Sequence, residues 1–226
     1  MTTFVFLHVG VDPLVELLVS SIHKTNREAR VIQCADRHTG QVPDTTDVYR
    51  HDGDISNLMT FRLEAFSALG LQEEPAIYLD TDMLVLAELK PHDILGEADV
   101  ACCERSFGRD APLNTSFRGM DLSEYENKTL GEVYPILAAF TVTRTFEFWA
   151  VCSERLLALD DKFHYWYGDQ EAMRDVAQTN RFRMRFIPES MFACLPEFAQ
   201  GASPKLLHFK GAQRKEWMEQ VWRSMS

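Results

Sequence analysis

Two aspartates one residue apart, Asp80 and Asp82, sit between the apolar runs 76–79 and 83–86. On an extended chain, residues two apart point to the same side. Two carboxylates placed this way, with no Lys or Arg between them, repel each other unless a cation joins them. A hard divalent ion, Mn²⁺ or Mg²⁺, takes oxygen ligands in octahedral geometry and leaves positions open for phosphate oxygens. Such an ion would neutralise a diphosphate leaving group. A bare D-x-D says little, and the chain holds a second one, Asp52-Gly53-Asp54, which reads as a polar turn. What separates the two is context: an apolar strand before Asp80 and an apolar run after Asp82.

The segment Tyr78-Leu79-Asp80-Thr81-Asp82-Met83-Leu84 resembles the metal-binding segment of the GT-A-fold retaining glycosyltransferases related to glycogenin and the bacterial lipopolysaccharide galactosyltransferases, glycosyltransferase family 8 and its relatives. Three further segments follow that family's chain order. Thr60-Phe61-Arg62-Leu63 resembles the helix segment before the D-x-D, and the resemblance gives Arg62 the donor phosphates and an acidic neighbour; a solvated helix arginine is the plain alternative. Tyr167-Gly168-Asp169-Gln170 resembles the D-Q segment that reaches the transferred sugar, although Asp169 also suits a helix N-cap. Leu207-His208-Phe209-Lys210-Gly211-Ala212-Gln213-Arg214 resembles the C-terminal H-x-x-G-x-x-K-P-W motif. The resemblance makes His208 the third metal ligand beside Asp80 and Asp82, and sets Arg214 at the lysine position with Lys210 and Gly211 near the diphosphate. Arginine there can fork onto phosphate oxygens; a lone histidine at a strand end is otherwise usually structural. The nucleotide-contacting segment would be residues 8–12, including Val9, with Asp36 at the end of the second strand meeting base or ribose. The family's N-[SA]-G segment falls on Leu137-Ala138-Ala139, without its Asn. What the resemblance implies is transfer of a hexose from a nucleotide-diphosphate sugar, a UDP-sugar by preference, to a sugar, lipid-linked or protein acceptor, with Mn²⁺ or Mg²⁺ as cofactor.

These residues need a frame. Strand patterns at 4–9, 29–35, 48–49, 75–79 and 99–103 alternate with helical patterns that start near Asp12-Pro13 and near Ser56 or Asn57, the second stopping at Gly70. Residues 83–86 read as a continuation of the strand before Asp80. Such alternation predicts βαβ units, an α/β domain with a mostly parallel central sheet flanked by helices. In open sheets of this kind, ligands sit beyond the carboxyl ends of the strands. Residues 104–132, rich in Gly, Pro and Asn, read as a long loop of the sort that closes over sites. Beyond it lie a strand at 136–142, a helix at 145–159, a shorter one at 169–178, an alternating half-exposed strand at 181–187, a short strand at 206–209 holding His208, and a final amphipathic helix around Trp217 and Trp222. With these elements, the resemblance implies one GT-A-like domain over residues 1–226.

Composition narrows the partners. The 226 residues carry a formal net charge of −11, with 46% hydrophobic and 25% charged residues. An acidic surface argues against nucleic acid and anionic lipid, although a metal and a few local cations can still hold a phosphate. No stretch reaches the length of a transmembrane segment. The start lacks a basic region followed by an apolar one, so the reading is cytoplasmic. Five cysteines with no C-x-x-C pair read as reduced structural thiols. Three rivals stand beside the transferase. A haloacid-dehalogenase-type phosphatase also uses a hydrophobic D-x-D, normally at the end of the first strand and followed by Gly-Thr. A non-catalytic nucleotide- or glycan-binding GT-A-like protein would explain the missing Asn. A nucleotidyltransferase would need a Gly-rich loop where only Gly10 stands.

Overall fold

The computed structural model describes residues 1–72 and 74–225. Its frame is a seven-stranded sheet in the order β3-β2-β1-β4-β7-β6-β8. The strands are β1 (Thr3–Leu7), β2 (Arg30–Ala35), β3 (Asp47–Arg50), β4 (Ala76–Leu79), β6 (Val100–Glu104), β7 (Ile136–Thr143) and β8 (Met184–Pro188). Only β7 runs against the rest, antiparallel to both β4 and β6, so the sheet is mostly parallel as its strand–helix alternation predicts. A bulge between Cys102 and Cys103 shifts the β6–β7 register.

Strand residues alternate between two cores. Phe4, Phe6, Ile77, Leu79 and Val142 face helix α1 (Val15–Thr25) and the short helix α3 (Pro91–Leu95). Val5, Ile32, Cys34, Tyr78 and Cys102 face α2 (Leu58–Ala68), α5 (Glu147–Leu157) and α7 (Gly168–Gln178). Burial on both faces is why these strands read as continuous apolar runs. Trp149 of α5, fully buried, contacts the rings of Phe66, Tyr78 and Phe148 at 4.8–5.2 Å. All five cysteines are free and buried, and burial raises the Cys102 thiol to about 12.

One sequence expectation is corrected. Residues 83–86 do not prolong β4. The chain turns at Asp80-Thr81-Asp82, and β5 (Met83–Val85) leaves the main sheet to pair antiparallel with β9 (Leu206–His208). A third cluster of Leu84, Leu207, Phe209 and Met218 packs this ribbon under the C-terminal helix α9 (Ala212–Met225). Asp80 still makes one main-chain bond to the sheet side, its N–H donating to Ala139 O at 2.9 Å, while the Asp82 carbonyl accepts from Phe209 N at 2.8 Å. The two aspartates thus span the seam between the sheets.

The long loop is irregular, as its composition predicts, with 3-10 turns at Phe117–Gly119 and Ser123–Tyr125. It closes on α4 (Leu130–Val133), which starts with a capping box in which Thr129 and Glu132 serve each other's backbone. The helices α6 (Lys162–Tyr165) and α8 (Glu189–Phe192) are one turn each and left no periodic signal in the sequence. Among the described residues, no helix is long and apolar enough to cross a membrane.

Candidate metal and donor site

The β5–β9 register sets Met83 opposite His208. That pairing carries an imidazole from far down the chain to the carboxylates at the end of β4. One ligand atom from each of Asp80, Asp82 and His208 lies within 4.8 Å of the others. Oxygens and nitrogens around a small divalent ion at about 2.1 Å stand roughly 3–4 Å apart, so a small adjustment would close the set on an ion. His208 Nε2 stands 3.4 Å from Asp82 Oδ1, longer than an ordinary hydrogen bond, and its buried Nδ1 has no partner. The imidazole thus meets Asp82 through one ring nitrogen and leaves the other unengaged. Two carboxylates and a buried imidazole suit a hard divalent ion.

Cations already lean on both carboxylates. Arg62, buried on α2, reaches Asp80 Oδ1 at 2.7 Å and Asp169 Oδ2 at 3.1 Å, and donates to Ala138 O at 3.3 Å. The alternative of a solvated helix arginine does not hold. Asp169 is buried, and burial raises its carboxyl above the usual range against the pull of Arg62. Lys215 Nζ stands 3.3 Å from Asp82 Oδ2. Burial pushes the Asp82 carboxyl up, but the nearby His208 ring and Lys215 ammonium outweigh it and hold the group well below the usual carboxylate range.

Asp169 sits in the first turn of α7, behind Tyr167 at the N-cap, and its Oδ1 accepts from the N–H of Gln170. Gly168 is required here: a Cβ at that position would lie 2.0 Å from Phe163 O. Gln170 Oε1 accepts from Arg105 Nη2 at 3.0 Å, and Arg105 Nε donates to Tyr134 O at 2.6 Å. Gly211, at φ +86, makes the left-handed bend between β9 and α9 and aims the start of α9 at the same place. Arg214, in that first turn, is committed to Glu197 through Nε at 3.0 Å and a shorter Nη2 contact, and donates to Lys210 O. Burial and the neighbouring Arg105 charge lower Lys210 to about 8, opposed by Glu189 and Asp80. More than a third of the residue remains open to solvent, which moderates the first of these effects.

These groups share one cleft of about 660 Å³. Among the described residues its lining holds six cations (Arg62, Arg105, Arg118, Lys210, Arg214, Lys215) against three carboxylates (Asp80, Asp82, Asp169). A locally positive cleft in a protein of net charge −11 is built for an anion. The floor is Leu137, Ala138 and Ala139, where the resemblance expected an Asn. Phe117, Arg118 and Leu130 come from the long loop.

Two expected residues stand apart. Val9 and Asp36 lie at the carboxyl ends of β1 and β2 but do not line this cleft. The Asp36 carboxylate is spent on a local turn, accepting from His38 N, Thr39 N and the Thr39 hydroxyl, and the Thr39 hydrogen bond leads in lowering it below the usual range. Thr39 Oγ1 in turn accepts from Gly10 N at 2.7 Å, joining the two strand ends. Conversely, sequence reasoning missed Arg105, Lys215 and the aromatic pair Phe117 and Trp166. Arg105 is a lone arginine after an apolar strand. Lys215 has a weak signal: a cation in the first turn of a helix opposes the helix dipole unless an anion faces it.

The chain has the GT-A-like fold of solved glycosyltransferases. Over 99% of its length and 96% of theirs, it is similar to the galactosyltransferase LgtC in complex with donor and acceptor sugar analogs, at 13% identity and a TM-score of 0.61. It is likewise similar over 99% of its length to the glycosyltransferase GlyE in Streptococcus pneumoniae TIGR4, covering 59% of that chain at 14% identity and a TM-score of 0.58. The apo form of GlyE gives 15% identity and a TM-score of 0.62 over the same shares. No family model matches the sequence, and no curated protein does. At such identities the likeness is one of fold.

Proposed function

We propose that a chain with this fold and this cleft is a metal-dependent glycosyltransferase, moving a hexose from a nucleotide-diphosphate sugar, a UDP-sugar by preference, to a sugar, lipid-linked or protein acceptor. The observation that carries the reading is the convergence of Asp80, Asp82 and His208 on one point in a cleft with surplus cations. Asp80, Asp82 and His208 would hold Mn²⁺ or Mg²⁺, which when bound neutralises charge on a departing diphosphate. The surrounding residues have their own work. Lys210, Arg214 and the backbone amides at Gly211 and the start of α9 offer donors to phosphate oxygens. Arg62 ties Asp80 to Asp169 and so fixes the spacing between the diphosphate end and the sugar end of the site. Asp169 and Gln170 orient the transferred hexose, with Arg105 holding the Gln170 amide oxygen and so directing its NH₂ group into the cleft. The loop residues Phe117, Arg118 and Leu130 cover the cleft and limit water, whose attack would waste the donor.

The test is a thermal-shift panel of nucleoside diphosphates and nucleotide sugars, with and without Mn²⁺. Ligands that bind only the folded state raise its melting temperature. UDP and a UDP-hexose should raise it only with Mn²⁺, and Asp82→Asn should abolish the response. A nucleotide response indifferent to Mn²⁺ and to that substitution removes the proposal.

One observation favours a second reading, a protein that binds nucleotide or glycan without transfer. Arg62 and Lys215 already neutralise both carboxylates, and the floor lacks the family's Asn. Metal-dependent UDP binding with no turnover of any donor would select it.

A further inference from the structure

At the outer side of the cleft, the guanidinium of Arg118 lies 3.9 Å from the ring centroid of Trp166 and 5.6 Å from that of Phe117. Both rings are partly exposed and line the cleft. Of the six cations that line the cleft, Arg62, Arg214 and Lys215 each hold a carboxylate; among the described residues Arg105, Lys210 and Arg118 form no salt bridge, and of these three Arg118 is the one that rests on aromatic rings. Arg118 (φ 52) and Tyr167 (φ 60), next to Trp166, are both non-glycine residues in the left-handed region. Such strain persists where the surroundings over-determine it, and it clusters at ligand clamps. Here Tyr167 is held by its stack on Tyr134, with centroids 4.5 Å apart and planes within 13°. Trp166 lines the same cleft as Asp169, three residues further along the chain, so it is assigned to the sugar end proposed above.

We propose that Trp166 and Phe117 form the acceptor platform of this cleft, and that Arg118 selects an acceptor pyranose carrying a carboxylate or a phosphate. The inference deepens the transferase reading and rests on it. A pyranose presents a face of C–H groups that packs against an aromatic ring. The guanidinium now resting on Trp166 would be given up to the incoming anion, onto which it can fork with two parallel N–H···O bonds. A neutral sugar offers no such exchange and must displace the cation from the ring without replacing its partner. The site therefore discriminates by charge.

The experiment is calorimetric titration of protein loaded with Mn²⁺ and UDP, using methyl glucuronide, glucose 6-phosphate and methyl glucoside as probes. The first two separate a carboxylate from a phosphate as the anion, and the third is the neutral control. At least one charged probe should bind at least about tenfold tighter than the neutral one, a difference of about 1.4 kcal/mol. Arg118→Gly should erase that preference while leaving the melting temperature equal or higher, because glycine suits a left-handed position. Trp166→Ala should weaken all three probes. Equal binding of charged and neutral probes, no binding of any probe to UDP-loaded protein, or a preference that survives Arg118→Gly overturns the proposal. Failure of UDP itself to bind sinks the donor reading beneath it, and the first titration of the series distinguishes that case.

Discussion

The chain contains the same three-residue pattern twice, and among the described residues only the second copy joins a third side chain in a group that could hold a metal ion. Asp52-Gly53-Asp54 follows β3 at the sheet edge. Asp54 folds back on the Ser56 amide and hydroxyl, hydrogen bonds that hold its carboxyl below the usual range, and Asp52 pairs with Arg37, both largely exposed. Each carboxylate is satisfied locally, within a few residues or by a neighbouring loop. Asp80-Thr81-Asp82 follows a central strand, and its partners come from α2, β9 and α9, at residues 62, 208 and 215. Spacing is the same in both. What differs is that the second pair stands where two sheets part, so that its charge is met by groups distant in sequence.

The contrast breaks first on activity. Asp82→Asn should lower metal-dependent transfer by about a hundred- to a thousandfold, the cost of losing one preorganised charge-stabilising group. Asp54→Asn should leave transfer unchanged. Equal effects on initial rates would put the chemistry elsewhere. Stability gives the next difference. Arg62→Met leaves Asp169 buried without its ion-pair partner and should cost about 3 kcal/mol, read as a fall in the urea midpoint. Arg37→Met removes an exposed pair and should cost less than about 1 kcal/mol.

A pH series sharpens the same point. Lys210 lies at about 8 in the folded protein against its ordinary 10.5. Between those values the unfolded chain keeps a proton that the folded chain has released, so this group makes stability rise with pH across that window. Binding runs the other way: the ammonium that would meet a phosphate is lost above about pH 8. UDP affinity should decline there, and Lys210→Met should start lower and flatten the profile. A wild-type affinity level from pH 7 to 10 would exclude Lys210 from the diphosphate site.

The legible parts of this molecule are those set by short-range pattern. The strand before Asp80 announces itself because it is buried on both faces. The long loop announces itself by Gly, Pro and Asn without period. His208 is legible only through a motif resemblance, since the β5–β9 register that carries it to Asp82 pairs segments more than 120 residues apart. The same distance hides the turn that takes residues 83–86 out of the main sheet. Arg62 looks like any helix arginine until two carboxylates from other elements reach it. Asp36 differs: an aspartate at a strand end beside Thr39 has a local use, and its carboxylate accepts from the Thr39 amide and hydroxyl.

Lys215 makes the smallest and most diagnostic prediction. Its ammonium contacts Asp82 on the side opposite His208 Nε2, through the other carboxylate oxygen. As a cation in the first turn of α9, it opposes the helix dipole and is tolerated because Asp82 faces it. A divalent ion entering the set must compete with that ammonium for the same carboxylate. The contact is partly exposed, so the competition is worth about 0.5–1 kcal/mol, or roughly two- to fivefold in affinity. Lys215→Met should therefore tighten Mn²⁺ binding by about that factor in a direct titration without nucleotide, while weakening UDP binding to the metal-loaded protein, because a cation near the phosphates is gone. If Mn²⁺ affinity falls instead, Lys215 supports the carboxylate geometry and does not compete with the ion.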